Sequence, residues 1–150
     1  MSAAPNTTPS TGTHSYTREA ILMANYLFTP SLCVRGLQAI ESIADEWCVH
    51  TDTPAFQWEP GNPTNTTGYL RPTEKGNLTV ASTKNPDPII MGATGFGLAA
   101  TLQAIIKVSG NLQPEDSRME IPEYLYQRYK EVREIALGHP AAVDIVKMTD

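Results

Sequence analysis

Three observations on this chain predict a mainly α domain of four or five helices. Apolar residues recur at alternating steps of four and three in two stretches, 33–47 and 125–136. Residues that start and stop helices bracket those stretches. The irregular sequence is concentrated in two blocks, residues 1–16 and 49–88. At 150 residues the chain has the size of one domain with a real core. The expected plan is a flexible arm over 1–16 and a single helical domain over 17–150, with 49–88 as a long loop inserted between helices.

The arm, MSAAPNTTPSTGTHSY, is Ser/Thr/Pro/Asn-rich and has almost nothing to bury, so alone it should be disordered. Thr17 is a good N-cap for a first helix through EAILMANYLF, which is apolar on nearly every side and therefore central. Pro30 breaks it, and Ser31 can cap the next. In that second helix Cys33, Leu37, Ile40, Ala44 and Trp47 form a narrow seam, with Gly36 beside it permitting close approach.

Residues 49–88 carry six prolines and turn signals at GNP, TTG and KGN. Short extended pieces at Ala55–Trp58 and Leu78–Ser82 could pair as a small β-hairpin. A buried helix with a glycine-rich start follows from the stretch PIIMGATGFGLAATLQAIIKVSG, in which Leu98 and Ile105 are expected to be core residues. Pro122 opens another helix whose seam is Leu125, Tyr129, Val132 and Ala136. Gly138 stops it, and Pro140 starts a short last helix through Met148.

Composition narrows the function. A net charge of −5 gives no electrostatic footprint for indiscriminate nucleic-acid binding. The N-terminus lacks the basic and apolar regions of a secretory signal, which is compatible with synthesis in the cytoplasm. Cys33 and Cys48 on one helix would stand about 22 Å apart, beyond the reach of a disulfide, and read as small buried thiols.

The turn Gly92-Ala-Thr-Gly95-Phe-Gly97 resembles the nucleotide-binding turn of extended short-chain dehydrogenases, which would imply a bound dinucleotide. That family spaces its glycines G-x-x-G-x-x-G, whereas this chain has G-x-x-G-x-G, and no second strand with an acidic residue follows. No cofactor is therefore expected. FQWEPGNPTNTTGYL followed by GATGFGLAA is similar to the early part of bacterial glucan hydrolases with a toroid of helical hairpins. That architecture needs a far longer chain, and no catalytic role is carried over. Residues 89–106 form an uncharged run at the lower end of what spans a bilayer, but Gln103, two threonines and the lack of an aromatic belt favour a buried helix.

The catalytic inventory is thin. His14, His50 and His139 make no pair with metal-ligand spacing, and neither cysteine makes a C-x-x-C. Glu41 and Asp45 share a helix face with Glu46 beside them, but a solvated face opposite the seam explains them more economically than acid–base work. In the long loop, Arg71, Lys75 and Lys84 lie near Tyr69 and Trp58, a set that could form a subunit interface. Contact with phosphate and bases is the secondary reading, since Glu74 and Asp87 interrupt the charge.

These features predict a non-enzymatic structural subunit of a larger assembly, such as a virus or phage particle or a helical filament. Its partners would be protein: copies of itself or other subunits, held through Trp58, Tyr69, Arg71, Lys75 and Lys84. The alternatives are a small membrane-associated subunit anchored by residues 89–106, and an enzyme using the Glu41/Asp45/Glu46 face or the GATGFG turn.

Overall fold

The computed structural model describes residues 15–48, 57–61, 68–73, 76–82, 86–118 and 120–149. They form a mainly α domain in which six α-helices enclose a few short strands.

The chain enters through β1 (Ser15–Tyr16) and turns into α1 (Arg18–Phe28). Thr17 caps α1 as its sequence predicts, its hydroxyl accepting from the Ala20 N–H at 3.0 Å. The break after Phe28 is made by Thr29, whose φ of 69° is rare for a β-branched residue. A 3-10 turn over Pro30–Leu32 then leads into α2 (Cys33–Trp47). Ser31 thus lies inside that turn, and no side chain caps α2. The predicted seam is where the core forms: Cys33, Ile40, Ala44 and Trp47 are buried, and Leu37 packs partly against them. A side chain at Gly36 would collide with the Phe28 ring, so this glycine is what lets α1 fold back onto α2.

The next segments form two small sheets. In the first, β2 (Gln57–Pro60) is flanked by β1 in parallel and by β3 (Leu70–Pro72) antiparallel, with Trp58 opposite Tyr16 and Pro72. In the second, β4 (Leu78–Val80) pairs antiparallel with β5 (Ile89–Met91), with Val80 opposite Ile89. This corrects the expected hairpin between the regions of Trp58 and Leu78. Trp58 lies instead between β1 and β3, and Leu78 pairs with Met91 of β5. The first sheet also ties down the end of the arm: Thr17 N–H donates to the Trp58 carbonyl at 3.1 Å, and the Tyr16 hydroxyl to the Leu37 carbonyl at 2.9 Å. Residues 1–14 lie outside the described residues.

The helix α3 (Ala93–Ser109) is the centre of the domain and packs against α2, α5, α6 and β3. Every residue from Gly95 to Leu102 is buried, and Leu98 and Ile105 are core residues as expected. A helix buried on most of its sides has a largely apolar sequence, which is why this stretch mimics a membrane span. No single helix among the described residues is long and apolar enough to cross a membrane.

A short α4 (Pro114–Arg118), unforeseen in the sequence, precedes α5 (Ile121–Leu137) and α6 (Ala142–Thr149). Asp116 shapes α4, its carboxylate accepting from the Gln113 N–H at 2.8 Å and from Arg35 of α2 at 3.5 Å. Leu125, Val132 and Ala136 bury the predicted seam of α5. On its α1 side, the Arg128 guanidinium lies 4.8 Å from the ring centres of both Tyr26 and Tyr124 and pairs with Glu131 at 2.9 Å.

The aromatic residues form a column through the molecule. Trp58 is fully buried, stacked 6.4 Å from Tyr16 on one side and 6.1 Å from Phe96 on the other. Trp47 meets Phe96 edge-on at 6.2 Å. The column joins β1, β2, α2 and α3 into one core.

Candidate functional site

A polar cleft of about 520 Å³ opens where β2 and β3 meet the N-terminus of α3, with His139 on its rim. Its central side chain is Arg71. The register of β2 and β3 sets Arg71 directly across from Glu59. The guanidinium donates to the Glu59 carboxylate at 3.0 Å through Nε, with Nη2 also at 3.0 Å, and to Thr94 Oγ1 at 2.9 Å through Nη1. Both charged side chains are about one-third exposed, so the pair adds little stability by itself. Its effect is positional: three bonds from two elements fix the guanidinium plane at the mouth of α3.

The floor is made by the glycine-rich turn. Gly92 is the N-cap of α3, with no side chain hydrogen-bonded to the helix end, and Gly92, Ala93 and Thr94 line the cleft. Gly95 is buried against Ala141 and Met91. At Gly97 a β-carbon would lie 2.7 Å from Arg71 Cα, so the third glycine is what admits β3 against α3. The sequence expectation that small residues here let another backbone approach is met at this position.

Tyr69 stands just before β3. Its ring covers Gly61 and is almost wholly buried. Burial raises the phenol pKa above its usual value of 10.0, while Arg71 and a hydrogen bond from Thr94 pull it down. His139 is held by its own turn, Nδ1 accepting from the Ala141 N–H at 3.0 Å. The cleft thus gathers a guanidinium, a carboxylate, hydroxyls and an imidazole over a small area. Among the described residues no group of three or more His, Cys, Asp or Glu could hold a metal ion.

The predicted interface residues separate. Arg71 stands in the cleft. Trp58 and Tyr69 are buried, Trp58 completely, because their rings fill the space between the sheet and α3. Lys75 and Lys84 lie outside the described residues. Glu59, Thr94 and His139 were missed; the signal for Glu59 was its place in QWEP, facing LRP across the turn-rich GNPTNTTGY. Glu41, Asp45 and Glu46 stay on the outer side of α2, away from its buried seam.

Two comparisons with known proteins agree with one another. A family model described as antirestriction protein matches residues 55–150, more than half of the chain and the part that builds the cleft. The chain belongs to the antirestriction protein family. It is also similar, at 24% sequence identity and a TM-score of 0.68, to a solved structure described as that of the KlcA and ArdB proteins. The match covers 97% of this chain and 100% of that one, and shows a shared fold. That structure is described as having a novel fold and antirestriction activity against type I DNA restriction systems in vivo but not in vitro. Comparison with curated proteins gave no match.

This finding overturns the reading of the chain as a subunit of a virus particle or filament. That reading inferred an assembly from a proline-rich arm and a long irregular loop anchored by Trp58 and Tyr69. The main anchor, Trp58, is instead a core residue, and its segment is tied into a sheet. The expectation of protein partners keeps its coarse form, while an assembly from copies of itself goes with the corrected reading.

Proposed function

We propose that this protein relieves the restriction of incoming DNA by a type I restriction system, and that it does so by binding a protein of that system without catalysing a reaction. The observation that carries this reading is the family match over 55–150, which spans everything from the cleft to the last helix. The fold shared with the KlcA and ArdB structure along nearly the whole chain supports it, as does that structure's described activity. A net charge of −5 fits a protein partner better than the DNA itself.

The test is a plating experiment. Unmodified phage is plated on a strain carrying a type I system, with and without expression of this chain, and on a restriction-deficient host. Plating should rise toward that of the deficient host. Unchanged plating with folded protein present in the cells rejects the proposal.

A further inference from the structure

We infer that a pocket between α2 and the C-terminal turn of α3 binds a small tetrahedral oxyanion of the phosphate class. The inference does not rest on the antirestriction reading. The pocket has a volume of about 290 Å³. Arg35 enters it from α2 and Lys107 from α3, and no carboxylate is among the side chains that line it. The sequence isolates these two charges. Over CVRGLQAI, the start of α2, Arg35 is the sole charged residue, and in α3, ATGFGLAATLQAIIKVS, Lys107 is. The carboxylates of α2 begin only at Glu41. The two helices pack on each other, so two lone cations meet at one seam of an otherwise acidic chain.

Uncharged polar groups complete the set. Gln38, Ser42 and Asn111 line the same pocket, and Ala39 and Val108 are its apolar part. Lys107 Nζ donates to Ser42 Oγ at 3.3 Å, which leaves the ammonium two further N–H donors and the hydroxyl its own proton. Asn111 Nδ2 donates to the Lys107 carbonyl at 2.8 Å, and the Gly110 N–H to the Ile106 carbonyl at 3.0 Å. These bonds satisfy carbonyls of the last turn of α3 that would otherwise face an anion bare. Glu46, one turn past Ser42, lines a second pocket that shares Lys107, toward Trp47.

Arg35 already meets Asp116 of α4, and the geometry leaves it capacity. Both Nη atoms reach the same carboxylate oxygen at 3.5 Å, a long contact, while that oxygen takes a 2.8 Å bond from the Gln113 N–H. The Arg35 side chain is 41% exposed, and its fork of five N–H donors can take a second acceptor. A guanidinium fork on one side and an ammonium on the other match an anion with more than two oxygens. No aromatic side chain lines the pocket, so a base has nothing to stack on and the anionic group itself must carry the binding.

The probe is inorganic phosphate, titrated into the full-length, isotope-labelled chain at an ionic strength held constant with sodium chloride. The side-chain amide signals of Gln38 and Asn111 should shift saturably, with a Kd of about 1 mM or tighter. Lys107→Gln and Arg35→Gln should each weaken binding by about tenfold or more, and Lys107→Arg should keep it. Lys130→Gln removes the same charge from an exposed site on α5 and should change nothing. Lys107 is exposed, so its variants should melt like wild type, which separates lost binding from lost folding. No saturable shift up to about 10 mM phosphate overturns the inference, as does a Kd indifferent to both glutamine variants. So does a DNA duplex that displaces phosphate from these residues at lower concentration, since the site would then belong to nucleic acid.

Discussion

The hydroxyl of Thr101 brackets the Leu70 peptide, accepting from its N–H at 3.1 Å and donating to its carbonyl at 3.3 Å. Thr101 is fully buried in the middle of α3, and the bracket sets the outer edge of β3 on the helix. Thr101→Val keeps the shape but strands two buried backbone groups. It should cost about 1–3 kcal/mol in a urea melt, and Thr101→Ser should recover most of that. A valine variant as stable as wild type would show that the bracket is dispensable.

Gly97 and Gly95 should respond differently to the same substitution. Gly97→Ala sets a methyl 2.7 Å from Arg71 Cα, a backbone atom that cannot step aside. The helix-propensity gain of about 1 kcal/mol is outweighed, and a net loss of about 1–3 kcal/mol is expected. At Gly95 the tight neighbour is Ala141 Cβ at 3.1 Å, which must give by only a few tenths of an ångström, while Met91 Cε at 3.4 Å is in ordinary contact. Gly95→Ala should stay within about 1 kcal/mol of wild type. Equal melts for the two variants would contradict this assignment.

Trp58→Ala should act on the monomer. Removing a fully buried indole from between Tyr16 and Phe96 should cost about 3–5 kcal/mol, a large share of a domain's stability. The check is a urea melt at two protein concentrations, where the loss should be the same. A loss that appears only in a complex would return Trp58 to the surface.

Alkaline pH should weaken the fold. Burial, with a smaller push from Asp45, raises the Cys48 thiol from 9.0 to about 11. The unfolded chain therefore gives up this proton first. The stabilisation is complete below pH 9 and is lost between pH 9 and 11. Tyr26 and Tyr69, both raised chiefly by burial, extend the fall above pH 10.0. Melting temperatures should drop across this window, and less steeply in Cys48→Ala. The native thiols should also react slowly with a disulfide reagent at pH 8, since Cys33 is raised by burial as well.

The helices were legible because their signals are local. Thr17, the seam from Cys33 to Trp47, and the stop at Gly138 can each be read within a few residues. The strands were not: β1 has two residues and β3 to β5 have three, too few for a periodicity. Trp58 was misplaced for the same reason. The extended piece read at Ala55–Trp58 ended there, with Glu59 and Pro60 left as loop, and only the distant Tyr16 and Phe96 make its position interior. Of the cleft, Arg71 was visible as a cation among aromatics, but its partners Glu59 and Thr94 depend on strand register and on where α3 begins. No catalytic motif was legible in the sequence, and the family match over 55–150 supplied what spacing could not.

The aromatic column makes the protein its own optical probe. Trp47 and Trp58 are the only tryptophans of the chain, and both sit in that column, out of water. They lie where the N-terminal pair of helices meets the sheet and α3, so their emission reports on that junction rather than on the periphery. Loosening there exposes both indoles together and shifts the emission to longer wavelength. Fraying of α4, which packs on α5, leaves the colour unchanged. A single fluorescence trace thus distinguishes an opened core from a flexing edge without any label attached.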